Sequence, residues 1–219
     1  MARRSGQPRA ILAFGESPND ARTLRELAAA LRHDLPPVEP RQQPIILRKD
    51  IKPKIKQGMA DRIAAVVRAE SEVRKVVAVL AHRDLDEVEP RSDASEAHDN
   101  EAELHRTVAA AVPPECAVIA VVPAWEMEAW WFLWPEQVAK HRSGWRPLRL
   151  RVGQRVDRIR DAKEELRRAL RPKHHARVPD YVESDGPRIA ALVREAGTAR
   201  APRGIAIAYQ RLIAALDAL

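Results

Sequence analysis

Four short apolar runs, separated by stretches of helical periodicity, govern what this chain can fold into. They are AILAF (Ala10 to Phe14), PIILR (Pro44 to Arg48), VVAVLA (Val76 to Ala81) and AVIAVV (Ala117 to Val122). Each is nearly continuous and mostly β-branched rather than alternating, the pattern of strands covered on both faces. Between them, apolar residues recur at helical spacing over Asn19 to His33, Met59 to Arg74 and Ala94 to Val112. Strand and helix in alternation demand crossover connections. The expected fold class is therefore α/β, a central and mostly parallel four-stranded sheet with helices on both faces.

After Val122 the character changes. PAWEMEAWWFLWPEQVAKH reads as a tryptophan-dense helical stretch broken at Pro135, and residues 141–153 as a basic loop. Gln154 to Leu170 reads as a charged helix and Pro187 to Ala196 as a short one. Gly204 to Leu219 reads as an amphipathic helix with Ile205, Ala208, Leu212 and Leu216 inward. Residues 136–219 are thus expected to form a helical extension packed on an α/β domain of residues 8–135. The spacing of Trp125, Trp130, Trp131 and Trp134 favours core packing over stacking on nucleobases. A hydrophobic fraction of 45% over 219 residues is enough to build such a core.

The ends of the strand-like runs carry the chemistry. The first run leads into Gly15 and Glu16, then Ser17-Pro18-Asn19-Asp20 opens a helix. The third ends in HRDLDE, where Asp84 and Asp86 face one side if the segment stays extended. The fourth is followed by Glu126 and Glu128. In a parallel sheet these ends share one edge, where open α/β sheets bind their ligands. Singly, each acid has a plainer reading as a helix cap, a salt-bridged loop with Arg83 and Arg91, or a helix-opening acid. Their coincidence favours a hard divalent cation, Mg²⁺ or Mn²⁺, which neutralises clustered carboxylates and takes oxygen ligands. Such a metal would polarise a phosphoryl oxygen and activate a water.

Lys+Arg 38 against Asp+Glu 31 gives a net charge of +7, with arginine dominant. Guanidinium groups contact phosphate bidentately, so a nucleic-acid partner is expected, met by Arg83, Arg146, Arg149, Arg151 and Arg155. The alternative is a solvated face neutralised by Asp157, Asp161, Glu164 and Glu165. Cys116 is the only cysteine and lies in an apolar run, which leaves no disulfide framework or thiolate zinc site and fits a reducing cytoplasm. The basic N-terminus has too few apolar residues before Gly15 for a signal-peptide core, and no segment has the roughly 20 apolar residues of a membrane span. His82 reads as a packed histidine or a base beside the acids. His174 and His175 read as a solvated pair, and Lys163 as a surface-helix lysine.

Glu16-Ser17-Pro18 and Asp84-Leu85-Asp86, in this order, resemble the TOPRIM domain of topoisomerases, primases and related nucleases. The resemblance covers roughly residues 8–135. It implies Mg²⁺ held by Glu16, Asp84 and Asp86, with Glu126 and Glu128 as further ligands or supporting groups. The acidic-aromatic segment Glu126 to Trp134 and the helical C-terminus are similar to small bacterial TOPRIM-like proteins. Some relatives of these are nucleases of the "overcoming lysogenisation defect" type, and the class often acts in phage defence or mobile elements. Asn19 stands where topoisomerases carry lysine. Tyr181 and Tyr209 lie in the tail, outside any strand-passage domain, so DNA relaxation is not expected.

Two functions follow from this reading. One is a Mg²⁺-dependent nucleic-acid phosphodiester hydrolase, with Glu16 as ligand or general base and Asp84 and Asp86 as the main ligands. The other is a non-catalytic module that binds nucleic acid or protein beside a partner such as a separate ATPase, since the chain has no P-loop of its own.

Overall fold

A computed structural model describes residues 7–41, 52–171 and 178–219. Four strands, β1 (Arg9–Phe14), β2 (Val38–Pro40), β3 (Lys75–His82) and β4 (Ala117–Val121), form one all-parallel sheet in the order β2-β1-β3-β4. The expected strand over Pro44 to Arg48 lies outside the described residues, as do His174 and His175. The strand beside β1 is instead VEP, three residues on the sheet edge, where a proline costs no ladder bond.

The helices that follow are α1 (Pro18–Leu31), α2 (Pro53–Ser71) and α3 (Asp99–Ala109). Leu24, Leu27 and Leu31 of α1 pack on the sheet face that carries Ile11 and Ala13. Ile63 and Val67 of α2, with Leu104 and Val108 of α3, cover the opposite face, which carries Leu12 and Phe14. One irregularity interrupts the alternation. Ala10 pairs with Val76 but Ile11 with Ala78, so Val77 is an extra residue, and Val76 and Val79 reach the same face despite their odd separation.

The tryptophan segment is a 3₁₀ helix, Met127–Leu133, followed by α4 (Pro135–His141). Pro135 opens α4 because its missing N–H is not needed there. The charged stretch also splits, because Asp161 takes a left-handed φ of 45° and the helix α5 runs only over Ala162–Leu170. The helices α6 (Gly186–Glu195) and α7 (Ile207–Asp217) complete the chain. Trp130 and Trp134 meet the Tyr209 ring edge-on at 5.2 and 5.1 Å. Trp130, Trp131 and Trp134 are each 1% exposed and belong to the core that includes Ile11, Leu24 and Leu212. No helix among the described residues is long and apolar enough to cross a membrane.

Candidate functional site

The strand order creates a crevice before any side chain is considered. From β1 the chain crosses by α1 to one side. From β2 it returns by α2 on the other face, passing over β1 to reach β3. Crossovers therefore diverge between β1 and β3, the switch point at which α/β sheets open a ligand crevice at their carboxyl ends. Phe14 pairs with Ala81, so Glu16 and Asp84 emerge from neighbouring strands just beyond that pair.

Backbone pairing then continues past the strands. Arg83 N–H donates to Val121 O (3.2 Å), Leu85 N–H to Pro123 O (3.0 Å), Asp86 N–H to Trp125 O (3.1 Å) and Trp125 N–H to Glu87 O (2.9 Å). The two acidic segments are thereby held side by side. Asp86 and Trp125 both sit at left-handed φ, 58° and 57°. Asp tolerates that region, whereas for tryptophan it is a strained conformation that the surrounding ladder must enforce. The left-handed turn overturns the extended-segment expectation for the Asp pair. Asp84 turns inward to accept the Met127 N–H at 3.0 Å, while Asp86 is exposed and lines a cavity of about 220 Å³ with Trp125, Glu126 and Lys163.

His82, the last residue of β3, is wholly buried between two acids. Its Nε2 lies 3.2 Å from Asp84 Oδ1 and its Nδ1 3.7 Å from Asp20 Oδ2. The Asp84 contact is within hydrogen-bonding distance, whereas the longer Asp20 contact acts through charge. Burial by itself would push the imidazole pKa down. The Asp84 contact and the charges of Asp20 and Glu16 outweigh it and raise it to about 9, so His82 is a cation at neutral pH. Asp20 reaches this position through a capping box with Ser17: Ser17 N–H donates to Asp20 Oδ2 (2.7 Å), and Asp20 N–H to Ser17 Oγ (3.3 Å). Gly15 is required there, because a Cβ would stand 2.5 Å from Asp20 Cβ.

On the β4 side an ammonium group fills the space among the acids. Lys163 Nζ lies 2.9 Å from Glu183, 3.4 Å from Glu126 and 3.7 Å from Glu128, and the Lys163 N–H donates to Glu126 Oε2 at 3.1 Å. Burial opposes its charge, but Glu183, Glu128 and Glu126 together raise its pKa. Glu128 is buried beneath it. Burial lifts its carboxyl to about 7, against the pull of Lys163 and with the push of Asp84 and Glu126. Tyr181 Oη donates to Glu128 Oε1 at 3.4 Å and accepts from Trp131 Nε1 at 3.0 Å.

The site thus brings together Glu16, Asp20, His82, Asp84, Glu126, Glu128 and Lys163, with Asp86 on the adjoining cavity. Lys163, read from the sequence as a surface-helix lysine, and Tyr181, read as part of the tail, lie in the site, and Asp20 and Glu183 join them; the capping-box spacing of Ser17 and Asp20 is the one signal the sequence carries for this. Among the described residues no three His, Cys, Asp or Glu side chains stand together so as to hold a metal ion. The cation that stands beside Glu126 and Glu128 in the structure is Lys163.

Two of the arginines expected on nucleic acid are also corrected. Arg83 is 2% exposed, pairs with Glu103 at 2.7 Å and donates to Asn100 O. Arg155 grips Asp157 at 2.7 Å and donates to Arg91 O and Ser92 O, both at 3.2 Å. Both hold the fold together. Arg149 and Arg151 are exposed and Arg146 is half-buried. A comparison with protein-family models, curated proteins and solved structures finds no match to this chain.

Proposed function

We propose that this chain is a divalent-metal-dependent phosphodiester hydrolase of TOPRIM-like type that acts on nucleic acid. The observation that carries the reading is the meeting of carboxylates from the ends of β1, β3 and β4 around Asp84 at the switch point of the sheet. Mg²⁺ keeps several of its waters and needs only one or two carboxylates, so it does not require three side chains standing together, which the described residues do not provide. Asp84 and Glu16 would hold it, with Asp86 on the adjoining cavity. The ion, when bound, would polarise a phosphoryl oxygen and lower the pKa of a water.

The chain's own groups do the rest. His82 and the Met127 N–H fix the Asp84 carboxylate so that it cannot swing away from the crevice. Lys163 offsets Glu126, Glu128 and Glu183, lessening repulsion of an incoming phosphate. Glu128, with a pKa of about 7, is poised to hold or release a proton at neutral pH.

The test is cleavage of labelled DNA and RNA in Mg²⁺ or Mn²⁺ by the parent, Asp84→Asn and Glu16→Gln chains. Metal-dependent cleavage by the parent alone, with the circular dichroism of all three unchanged, is the expected result. Cleavage that survives in either variant overturns the assignment.

A further inference from the structure

A second concavity adjoins the acidic edge. It is a cleft of about 1030 Å³ between the 149–161 segment, α5 and the 180–182 segment. Asp161 and Glu164 line both this cleft and the small cavity that holds Asp86, Glu126 and Lys163, so the two spaces share a wall at the start of α5. Its walls have two characters. Phe132, Leu150, Ile159 and Val182 are its apolar lining, of which Val182 is 44% exposed while Phe132 and Leu150 are buried. Arginines form the rim. Arg167, Arg168 and Arg171 pair with Glu164, Glu165 and Asp180, whereas exposed Arg149 and Arg160 have no carboxylate partner among the described residues.

We propose that this cleft binds a stretch of single-stranded nucleic acid and leads its backbone over the start of α5 to the acidic edge. The inference rests on the hydrolase reading for its direction, and on the cleft itself for its ligand. Unpaired nucleotides combine apolar base faces with a row of phosphates, which matches an apolar lining under an arginine rim. A duplex hides its base faces. Arg149 and Arg160, without a carboxylate partner among the described residues, can exchange solvent counter-ions for phosphate.

The test is fluorescence anisotropy with a labelled thymidine oligonucleotide, a labelled hairpin duplex of equal charge and thymidine monophosphate as competitor. All measurements are made in EDTA over a salt series. Without divalent metal no cleavage intervenes, so the result is independent of the catalytic reading. The expected outcome is single-strand binding at least tenfold tighter than duplex binding, with the mononucleotide a poor competitor. Arg149→Ala, Arg160→Ala together lower the slope of log K against log salt by about 1.4, from about 0.7 per phosphate contact on a single strand. Arg188→Ala, on α6 and paired with Glu195, leaves it unchanged. Equal affinity for duplex, full competition by the mononucleotide, or an unaltered slope in the native-melting double variant overturns the proposal and leaves the hydrolase reading standing. Single-strand binding as expected, with no cleavage in Mg²⁺ or Mn²⁺, upholds the cleft and fails the hydrolase.

Discussion

Replacing Lys163 by methionine leaves Glu126, Glu128 and Glu183 facing one another without their shared cation, and the consequence is a change in how stability depends on pH. In the parent, Glu128 is raised from 4.5 to about 7. The folded state therefore binds more protons than the unfolded one between those values, and stability falls as pH rises through that window. At 1.36 kcal/mol per unit, the loss from Glu128 is about 3 kcal/mol between pH 4.5 and 7. Lys163 is the one group that pulls this carboxyl strongly down, so its removal lifts the Glu128 pKa further and extends the loss above pH 7. The side chain of Lys163 is 22% exposed, which places the extra cost at neutral pH near 2 kcal/mol, below that of fully buried pairs. Urea denaturation across the pH range measures it in the parent, Lys163→Met and Lys163→Met, Glu128→Gln chains. The Lys163→Met curve should diverge steadily from the parent above pH 6, and adding Glu128→Gln should remove most of the divergence. Parallel curves for parent and Lys163→Met would refute the reasoning, because Glu128 would then not sense the ammonium.

Gly15→Ala forces a Cβ to within 2.5 Å of Asp20 Cβ and 3.1 Å of the Ala21 nitrogen, so the start of α1 must shift. Thermal melting should report a loss of about 1–3 kcal/mol, typical of overpacking. His82, raised from 6.5 to about 9, contributes stability that is complete below pH 6.5 and lost as pH rises through 9. His82→Asn should flatten the parent's decline over that window in the same denaturation series. Arg211 bridges buried Glu89 at 2.9 Å and Glu101 at 2.6 Å, joining α7 to the loop that follows Asp86 and to α3. Arg211→Met strands both acids and should cost about 3–5 kcal/mol at pH 7. Part of this should return at lower pH, because burial already raises Glu101 to about 7 against the pull of Arg211.

Much of the frame could be read directly from the chain, and the failures share one cause. Ala10 to Phe14, Val76 to Ala81 and Ala117 to Val122 declare themselves as strands because burial on both faces leaves no polar positions. VEP at Val38–Pro40 has no such pattern, since an edge strand of three residues takes its register from β1 alone. The convergence of Glu16 and Asp84 follows from strand order and could be foreseen. The outward turn of Asp86 could not, because a period of two presumes extended backbone and residue 86 is left-handed. Lys163 was equally hidden. In RDAKEEL it is one lysine among glutamates, and its partner Glu126 lies 37 residues away. Arg83 looked available for phosphate because composition counts charges without regard to whether Glu103 already holds them.

The helical extension supplies part of the site as well as part of the core. Trp131 is packed in the core, yet its Nε1 must find an acceptor, and Tyr181 Oη provides it from 50 residues away. The same hydroxyl then has its proton left to donate, and Glu128 takes it. Gly186 has no side chain where a Cβ would meet Trp131 at 3.2 Å, so the start of α6 can lie against the tryptophan beside Tyr181. Lys163 arrives on the helix whose Leu166 and Leu170 belong to the same core. A buried carboxyl with a pKa near 7 at the sheet edge is therefore held by Tyr181 and Lys163, which both come from residues 136–219. The carboxyl edge of β4 acquires its charge balance only when that extension is docked, and this makes the extension part of the candidate active site.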